Sequence, residues 1–351
     1  MPKPMPEWRN VDRRVFQAEI EPLRLPAVMR GLVSHWPLVQ KSLDGPAASA
    51  EYLRVFNSGS EVEYLAGMPE IKGRFFYNEA MNGENFTRNR GPFQLALSLV
   101  LEAASVPNPP AVSIQALPVA RHLPDLELRN TLDLAANGAR PTLWINNAVT
   151  VAPHFDCKDN IGCVVAGRRR FTLFPPEQVS NLYIGPLHST PQGVPVSMVD
   201  VENPDLGRFP RYAQALEQAF VAELDPGDAV YIPYMWWHGE RSLEPFNMLM
   251  NYWWEISPRS DGPPFTALMH ALLSIGQLPP QLREIWHAHF EHFVFHAQGE
   301  PAGHVLPEAR GALGQLPPQR LELFMAKLLQ VMVSERPGAL SADVGKPLQR
   351  H

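Results

Sequence analysis

Apolar residues change their spacing twice along the chain, and the changes divide it into three stretches. Between residues 1 and 110, short strand-like runs (Ala27-Val28-Met29, Phe75-Phe76-Tyr77) mix with helix-like ones. The clearest of these is 92–103, where apolar residues recur at helical spacing. An N-terminal α/β portion packed on the middle stretch is predicted. Between 111 and 256 the runs become shorter, apolar or alternating, and are separated by Gly, Pro and Asn. Val112-Ser113-Ile114, Thr142-Leu143-Trp144-Ile145 and the segments 161–166, 170–174, 229–232 and 247–254 are of this kind, which predicts a β barrel or sandwich. Between 257 and 351 helical spacing returns, over 264–275, 280–297, 307–313 and 318–333. Each opens on or just after proline, which a first helical turn tolerates. In the last of them, Leu321, Phe324, Met325, Leu328, Leu329 and Met332 form a wide apolar stripe suited to a core or a partner helix.

Composition narrows the class without naming a chemistry. The 351 residues allow about two domains, or one larger β unit. The 37 prolines are dispersed through turns and mark many short elements; the longest low-complexity segment is the Pro/Gly-rich tail after Ser334. With 45% hydrophobic residues, 19% charged residues and a net charge of -6, the chain has no basic excess for a phosphate backbone, so nothing supports nucleic acid as partner. No run approaches the roughly 20 apolar residues of a membrane span, and the first residues carry no apolar signal-like run. Cys157 and Cys163 are too few for a disulfide framework and lack zinc-type spacing. A cytoplasmic protein is expected.

The candidate chemistry lies in the β-like stretch. His154 and Asp156 are two residues apart, so on a strand both face the same way, and Pro153 and Val149-Thr150-Val151 favour extension there. His238 follows a turn (Asp225-Pro226-Gly227-Asp228) and a buried strand-like run, and a closed barrel brings such a late strand beside an early one. Two imidazoles and one carboxylate on one face of a metal leave the opposite positions open, as a non-haem Fe(II) oxygenase requires. Three unrelated residues, two satisfied histidines and a capping aspartate, are the alternative. His238-Gly239-Glu240 and His289-Phe290-Glu291 repeat the His-x-acid spacing, though the second lies in a helical stretch where the side chains diverge. His289, His292 and His296 share a helical face, as metal ligands or as the polar side of an amphipathic helix. Trp144, Phe155, Tyr231, Trp236, Trp237 and Trp253 are either walls of a dry pocket or core. Cys157 is a small hydrophobe beside the site or a target of its oxidising chemistry.

Several segments then come in a telling order: 149–156, Asn160 with 167–176, Asn203-Pro204-Asp205 with Arg208-Phe209-Pro210, 225–238, and Asn251-Tyr252-Trp253-Trp254. Residues 141–256 resemble the JmjC-type cupin hydroxylases, in the cupin-like branch that includes the asparaginyl hydroxylase of hypoxia-inducible factor. The segment 26–32 and Trp36-Pro37 resemble the family's lead-in, so the likeness covers most of the chain. It implies a mainly β fold with flanking helices, a double-stranded β-helix holding Fe(II) through His154, Asp156 and His238, with 2-oxoglutarate as cosubstrate. The distal carboxylate of 2-oxoglutarate falls to Arg169, where the asparaginyl hydroxylase carries lysine; the alternative is a solvated basic turn, Arg168-Arg169-Arg170. Asn160 and Asn251 match two asparagines near the cosubstrate. Two positions depart from the pattern. A threonine is replaced by Val151, with Thr150 adjacent but facing the other side of a regular strand, and a tyrosine is replaced by Ser113, two residues before Gln115. The implied reaction consumes O2 and hydroxylates an unidentified substrate, a protein side chain ahead of a small molecule or RNA. The same likeness makes the C-terminal helices a candidate homodimer element. A cupin holding another metal for isomerase or lyase chemistry, and a catalytically silent cupin that binds a partner, are the rival classes.

Overall fold

The segment Asp159–Ala166 is a strand whose eight residues are all buried, because both of its faces are covered. Ile161, Cys163 and Val165 join an outer core with the flanking helices, whereas Val164 joins a second core between two sheets. The computed structural model describes residues 2–134, 138–191, 193–255 and 262–334. The N-terminal strands are β1 (Lys3–Pro4), β2 (Glu7–Arg9), β3 (Ala27–Arg30), β4 (Glu61–Gly67) and β5 (Thr87–Pro92). Next come β6 (Ala111–Pro118), β7 (Pro141–Asn146), β8 (Thr150–His154), β9 (Asp159–Ala166) and β10 (Arg169–Phe174). The last four are β11 (Phe220–Leu224), β12 (Ala229–Ile232), β13 (Trp237–Ser242) and β14 (Asn247–Trp254). They form a smaller sheet ordered β1-β11-β10-β13-β8 and a larger one ordered β2-β3-β12-β9-β14-β7-β6-β4-β5. Crossovers between the two sheets make the double-stranded β-helix that the family resemblance implies, a closed form of the β barrel or sandwich read from the pattern.

On the outside of the larger sheet the helix Phe93–Ser105 buries Phe93, Ala96, Leu97, Val100 and Ala103, the apolar stripe read from the sequence. Two further helices, Pro37–Leu43 and Pro46–Val55, start at prolines and complete that layer. The N-terminal portion also contributes to the sheet itself, since β3 pairs antiparallel with β12. Arg24 fixes the start of β9 by a bidentate contact with buried Asp159 at 2.7 and 2.9 Å.

Some predicted elements differ in the structure. The segment Phe75-Phe76-Tyr77 is no strand: Arg74 and Tyr77 make isolated bridges while the rings pack in two small cores. The helix predicted over 280–297 ends at Phe293, and 307–313 forms two short 3-10 turns, Pro307–Ala309 and Gly311–Leu313. The chain divides into two compact units, residues 1–261 and 262–351, and the second carries the helices Pro264–Ser274, Pro280–Phe293 and Pro318–Ser334. The expected boundary at 256/257 and the Pro/Gly-rich tail after Ser334 lie outside the described residues. No helix among the described residues is long and apolar enough to cross a membrane.

Gly167 makes the turn that delivers β10 to the barrel interior. Its φ is +68°, and an added Cβ would fall 2.5 Å from the Phe246 carbonyl oxygen and closer still to Asn247 Oδ1. Gly167→Ala is therefore expected to cost roughly 2–4 kcal/mol of unfolding free energy, combining backbone strain with a clash against backbone. A drop in the urea midpoint at unchanged m-value checks it.

Candidate metal centre and its cavity

Alternation along the strands decides which side chains reach the interior. Ser113 and Gln115 on β6, Trp144 and Asn146 on β7, Asn160 on β9 and Asn251 and Trp253 on β14 all turn toward one cavity of about 270 Å³. From the other sheet His154, Arg169, His238 and Glu240 face the same space. The apolar half of the barrel interior, with Phe171, Leu173, Val230 and Leu249, closes it off.

His154, Asp156 and His238 come together, their ligand atoms all within 4.8 Å of one another. Register explains the meeting, since His238 on β13 pairs directly with His154 on β8, and Asp156 lies just past the end of β8. The two rings lie 4.2 Å apart, and Nδ1 of each has a backbone carbonyl partner at 3.0 Å, Ala152 for His154 and Trp236 for His238. With Nδ1–H donating there, each Nε2 carries a lone pair into the cavity, as metal-binding imidazoles require. Burial, reinforced by neighbouring His238, pushes the His154 imidazole down to about 4, so it is neutral at pH 7. Burial alone would raise Asp156, but the two imidazoles and hydrogen bonds from Trp253 and Asn160 hold it below the ordinary carboxylate range. A carboxylate and two imidazoles this close, each with Nε2 turned to the cavity, fit one divalent ion at about 2.1 Å from each donor. Among the described residues this is the cluster of three or more His, Cys, Asp or Glu side chains arranged to hold a metal.

Asp156 is oriented from behind. Trp253 Nε1 donates to its Oδ2 at 2.9 Å and Asn160 Nδ2 reaches the same oxygen at 3.5 Å, while Asn251 Nδ2 donates to Asn160 Oδ1 at 2.8 Å. The two asparagines and Trp253 thus form a relay onto the carboxylate. Removing the strongest donor by Trp253→Phe is expected to weaken metal affinity 10–100-fold, the usual size of an outer-partner effect. An anaerobic Fe(II) titration measures it.

The other predicted residues share the cavity. Gln115 Nε2 donates to Ser113 Oγ at 2.7 Å. Thr150, a candidate cosubstrate residue, and Val151 both line the wall, although adjacent residues of a regular strand face opposite sides. Parity with His154 already turns Thr150 inward; the register shift between β8 and β13, where His238 pairs with His154 but Glu240 pairs with Val151, is what brings Val151 to the wall as well.

Arg169 is 1% exposed and is no solvated turn residue, unlike Arg168 and Arg170, which pair with surface glutamates. Its Nη1 donates to Glu240 Oε2 at 3.0 Å and its Nη2 to Asn146 Oδ1 at 3.3 Å. Burial pulls the guanidinium below its ordinary pKa, opposed by Glu240. Arg169 Nε and Trp144 Nε1 are buried on the cavity wall with no acceptor. Two orphaned donors beside a metal site fit an oxygen-rich ligand, since buried donors are otherwise satisfied. Sequence reasoning treated Glu240 as a rival metal ligand and passed over Asn146. Strand parity with His238 and Trp144 was the available signal for both.

Of the remaining aromatics, Trp144 and Trp253 line the cavity and meet edge to face at 6.4 Å, while Tyr231 and Trp236 pack into cores and Phe155 packs on Trp237. Cys157 is half-buried with Sγ 3.7 Å from Met235 Sδ, and burial pushes the Cys163 thiol up. Of the C-terminal histidines, His289 and His292 lie three apart on the helix Pro280–Phe293, but His296 lies beyond its end with φ of 51° and does not extend that face.

Residues 13–260 match the family of cupin-like domains. Lysine-specific demethylase JMJ31 of Arabidopsis thaliana is 36% identical over 121 residues, 34% of this chain and 22% of the relative. HSPB1-associated protein 1 of Homo sapiens is 37% identical over 125 residues, 34% of this chain and 24% of the relative. The match thus spans under a quarter of either relative's length. The bifunctional peptidase and (3S)-lysyl hydroxylase JMJD7 of Homo sapiens is 27% identical over 259 residues, 66% of this chain and 77% of the relative.

Proposed function

Because the chain belongs to the cupin-like domain family, of JmjC type, we propose that it is an Fe(II)- and 2-oxoglutarate-dependent oxygenase. The observation that carries the proposal is the His154–Asp156–His238 cluster, with His238 buried and its partners half-buried, opening on a cavity with two orphaned donors. His154, Asp156 and His238 would hold the iron on one face, and Arg169, Trp144, Asn160, Asn251, Gln115 and Thr150 would surround 2-oxoglutarate. When bound, these two supply the oxidising power that puts one atom of O2 into a substrate C–H bond, with release of succinate and CO2.

The protein's own contribution is placement. The Nδ1–carbonyl bonds fix both imidazole tautomers. Trp253 and Asn160 hold the carboxylate ionised and aimed. Trp144, Trp253 and Leu249 keep the cavity wall apolar and restrict water near the metal. Of the substrate classes, a protein side chain is the favoured one, supported by the lysyl hydroxylase named among the relatives.

The test is anaerobic reconstitution with Fe(II), addition of 2-oxoglutarate, then exposure to O2. Formation of succinate stoichiometric with 2-oxoglutarate consumed is the expected result. Full occupancy by another metal, with no binding of 2-oxoglutarate, points instead to a cupin isomerase or lyase. Absence of any tightly bound metal points to a binding module.

We further propose a homodimer formed through the C-terminal helices, in a reducing cytoplasm where Cys157 and Cys163 stay free. No side chain of Pro264–Ser274 or Pro280–Phe293 is buried, and Leu272, Ile285, Trp286, Leu328 and Leu329 are exposed. A twofold contact of such faces removes apolar surface from both copies. Light scattering is expected to give the mass of two chains for the native protein and of one chain for Leu328→Glu/Leu329→Glu. A native protein of single-chain mass overturns the dimer.

A further inference from the structure

The floor of the metal cavity holds an acid where a dianionic ligand would have to settle. Arg169 has five N–H donors in a rigid fork, and a carboxylate is best held by two of them side by side. Here Glu240 Oε2 takes Nη1 at 3.0 Å and Asn146 Oδ1 takes Nη2 at 3.3 Å, so the outer edge of the fork is already divided between them. Nε is the nitrogen without an acceptor. The pair is deeply set, the side chains of Arg169 and Glu240 being 2% and 11% exposed.

Among the described residues lining the cavity, no second cation is free to relieve this. The other arginine on the cavity wall, Arg88, is committed at the rim to Glu84 at 2.7 Å and to the Pro191 carbonyl at 2.8 Å. Glu240 shares its strand face with His238 and follows it along β13 toward the level of Arg169, which pairs with Ser242, so the acid, the metal ligands and the guanidinium line one cavity. The anchor is a buried ion pair of no net charge. A ligand carboxylate arriving at Nε meets a negative charge one guanidinium width away, and in a desolvated site like charges at that range repel strongly.

We propose that Glu240 sets the ligand preference of this cavity. By neutralising Arg169 it weakens recognition of a distal carboxylate, so that 2-oxo acids with an uncharged distal end bind nearly as well as 2-oxoglutarate. The inference rests on the oxygenase reading above and concerns which member of the 2-oxo acid class is held. Glu240 acts as a specificity-determining residue, through Arg169 and through its own charge.

The experiment is an anaerobic titration of the Fe(II) protein with 2-oxoglutarate and with 2-oxopentanoate, which has the same chain length without the distal carboxylate. Binding is read by calorimetry and by the charge-transfer absorption of the iron chelate. The native protein is expected to prefer 2-oxoglutarate by less than about tenfold. Glu240→Gln keeps an oxygen for Arg169 Nη1 but removes the charge. It is expected to tighten 2-oxoglutarate by about tenfold or more and to change 2-oxopentanoate by less than about threefold. A native preference for 2-oxoglutarate above about a hundredfold overturns the proposal without any variant, whether or not Glu240→Gln folds. So does a folded Glu240→Gln with an unchanged ratio of affinities. If the iron-loaded native protein binds neither acid, the oxygenase reading falls and this inference with it; if it binds 2-oxoglutarate with strong preference, this inference alone falls.

Discussion

Alanine at His154 or at Asp156 is expected to abolish tight iron binding while the barrel stays folded. Each variant removes one of three donors whose ligand atoms lie within 4.8 Å of one another. What remains is a two-donor site open to water. The loss is expected to reach at least about a thousandfold, beyond the 10–100-fold assigned to outer partners such as Trp253. Folding is expected to survive because none of the three side chains belongs to the apolar cores; they face the cavity. Truncating His154 also removes a half-buried polar ring, which offsets part of the lost packing. Anaerobic equilibrium dialysis measures the iron, and circular dichroism with thermal melts measures the fold. Iron retained in both folded variants would move the site elsewhere in the chain.

The fold and the site were legible to different depths. β12 and β14 were readable as strands to the residue because their apolar runs are bounded by Gly, Pro or Asn. β11, with the sequence Phe-Val-Ala-Glu-Leu, carries no bounding turn residue before it and follows the helix Tyr212–Gln218 almost directly, so nothing local announces it. The pairing of His154 with Asp156 followed from strand parity alone, and His238 joined them only through the family likeness, since register across sheets is a property of the whole barrel. Glu240 shows the limit most clearly. Its spacing from His238 puts it on the cavity face, but whether an inward acid meets a metal or a guanidinium depends on β10 lying next to β13, which no local pattern encodes. Val151 illustrates a second limit, because parity with His154 assigns it to the outer face and only the register shift that sets it opposite Glu240 brings it to the cavity wall.

Arg169→Ala is expected to separate cosubstrate binding from metal binding more sharply than any other single change. Arg169 lies outside the metal-ligating triad and makes none of the hydrogen bonds that orient Asp156 or the imidazoles. Iron affinity is therefore expected to stay within about threefold of native, well short of the effect of losing an outer partner. Affinity for 2-oxoglutarate is expected to fall by about a hundredfold, since the change removes the guanidinium donors and also leaves the Glu240 carboxylate unpaired and facing the distal carboxylate. The same change leaves Glu240 buried without its cation, which costs about 3–5 kcal/mol of stability when a buried pair is broken from one side. Removing both partners in Arg169→Ala/Glu240→Ala is expected to recover most of that stability and only part of the 2-oxoglutarate affinity, a non-additive pattern diagnostic of a direct pair. Urea unfolding and anaerobic calorimetry on the two single variants and the double variant check both arms. Equal stability losses that simply add would show that Arg169 and Glu240 are not coupled. Unchanged 2-oxoglutarate affinity in folded Arg169→Ala would remove the anchor from the floor of the cavity.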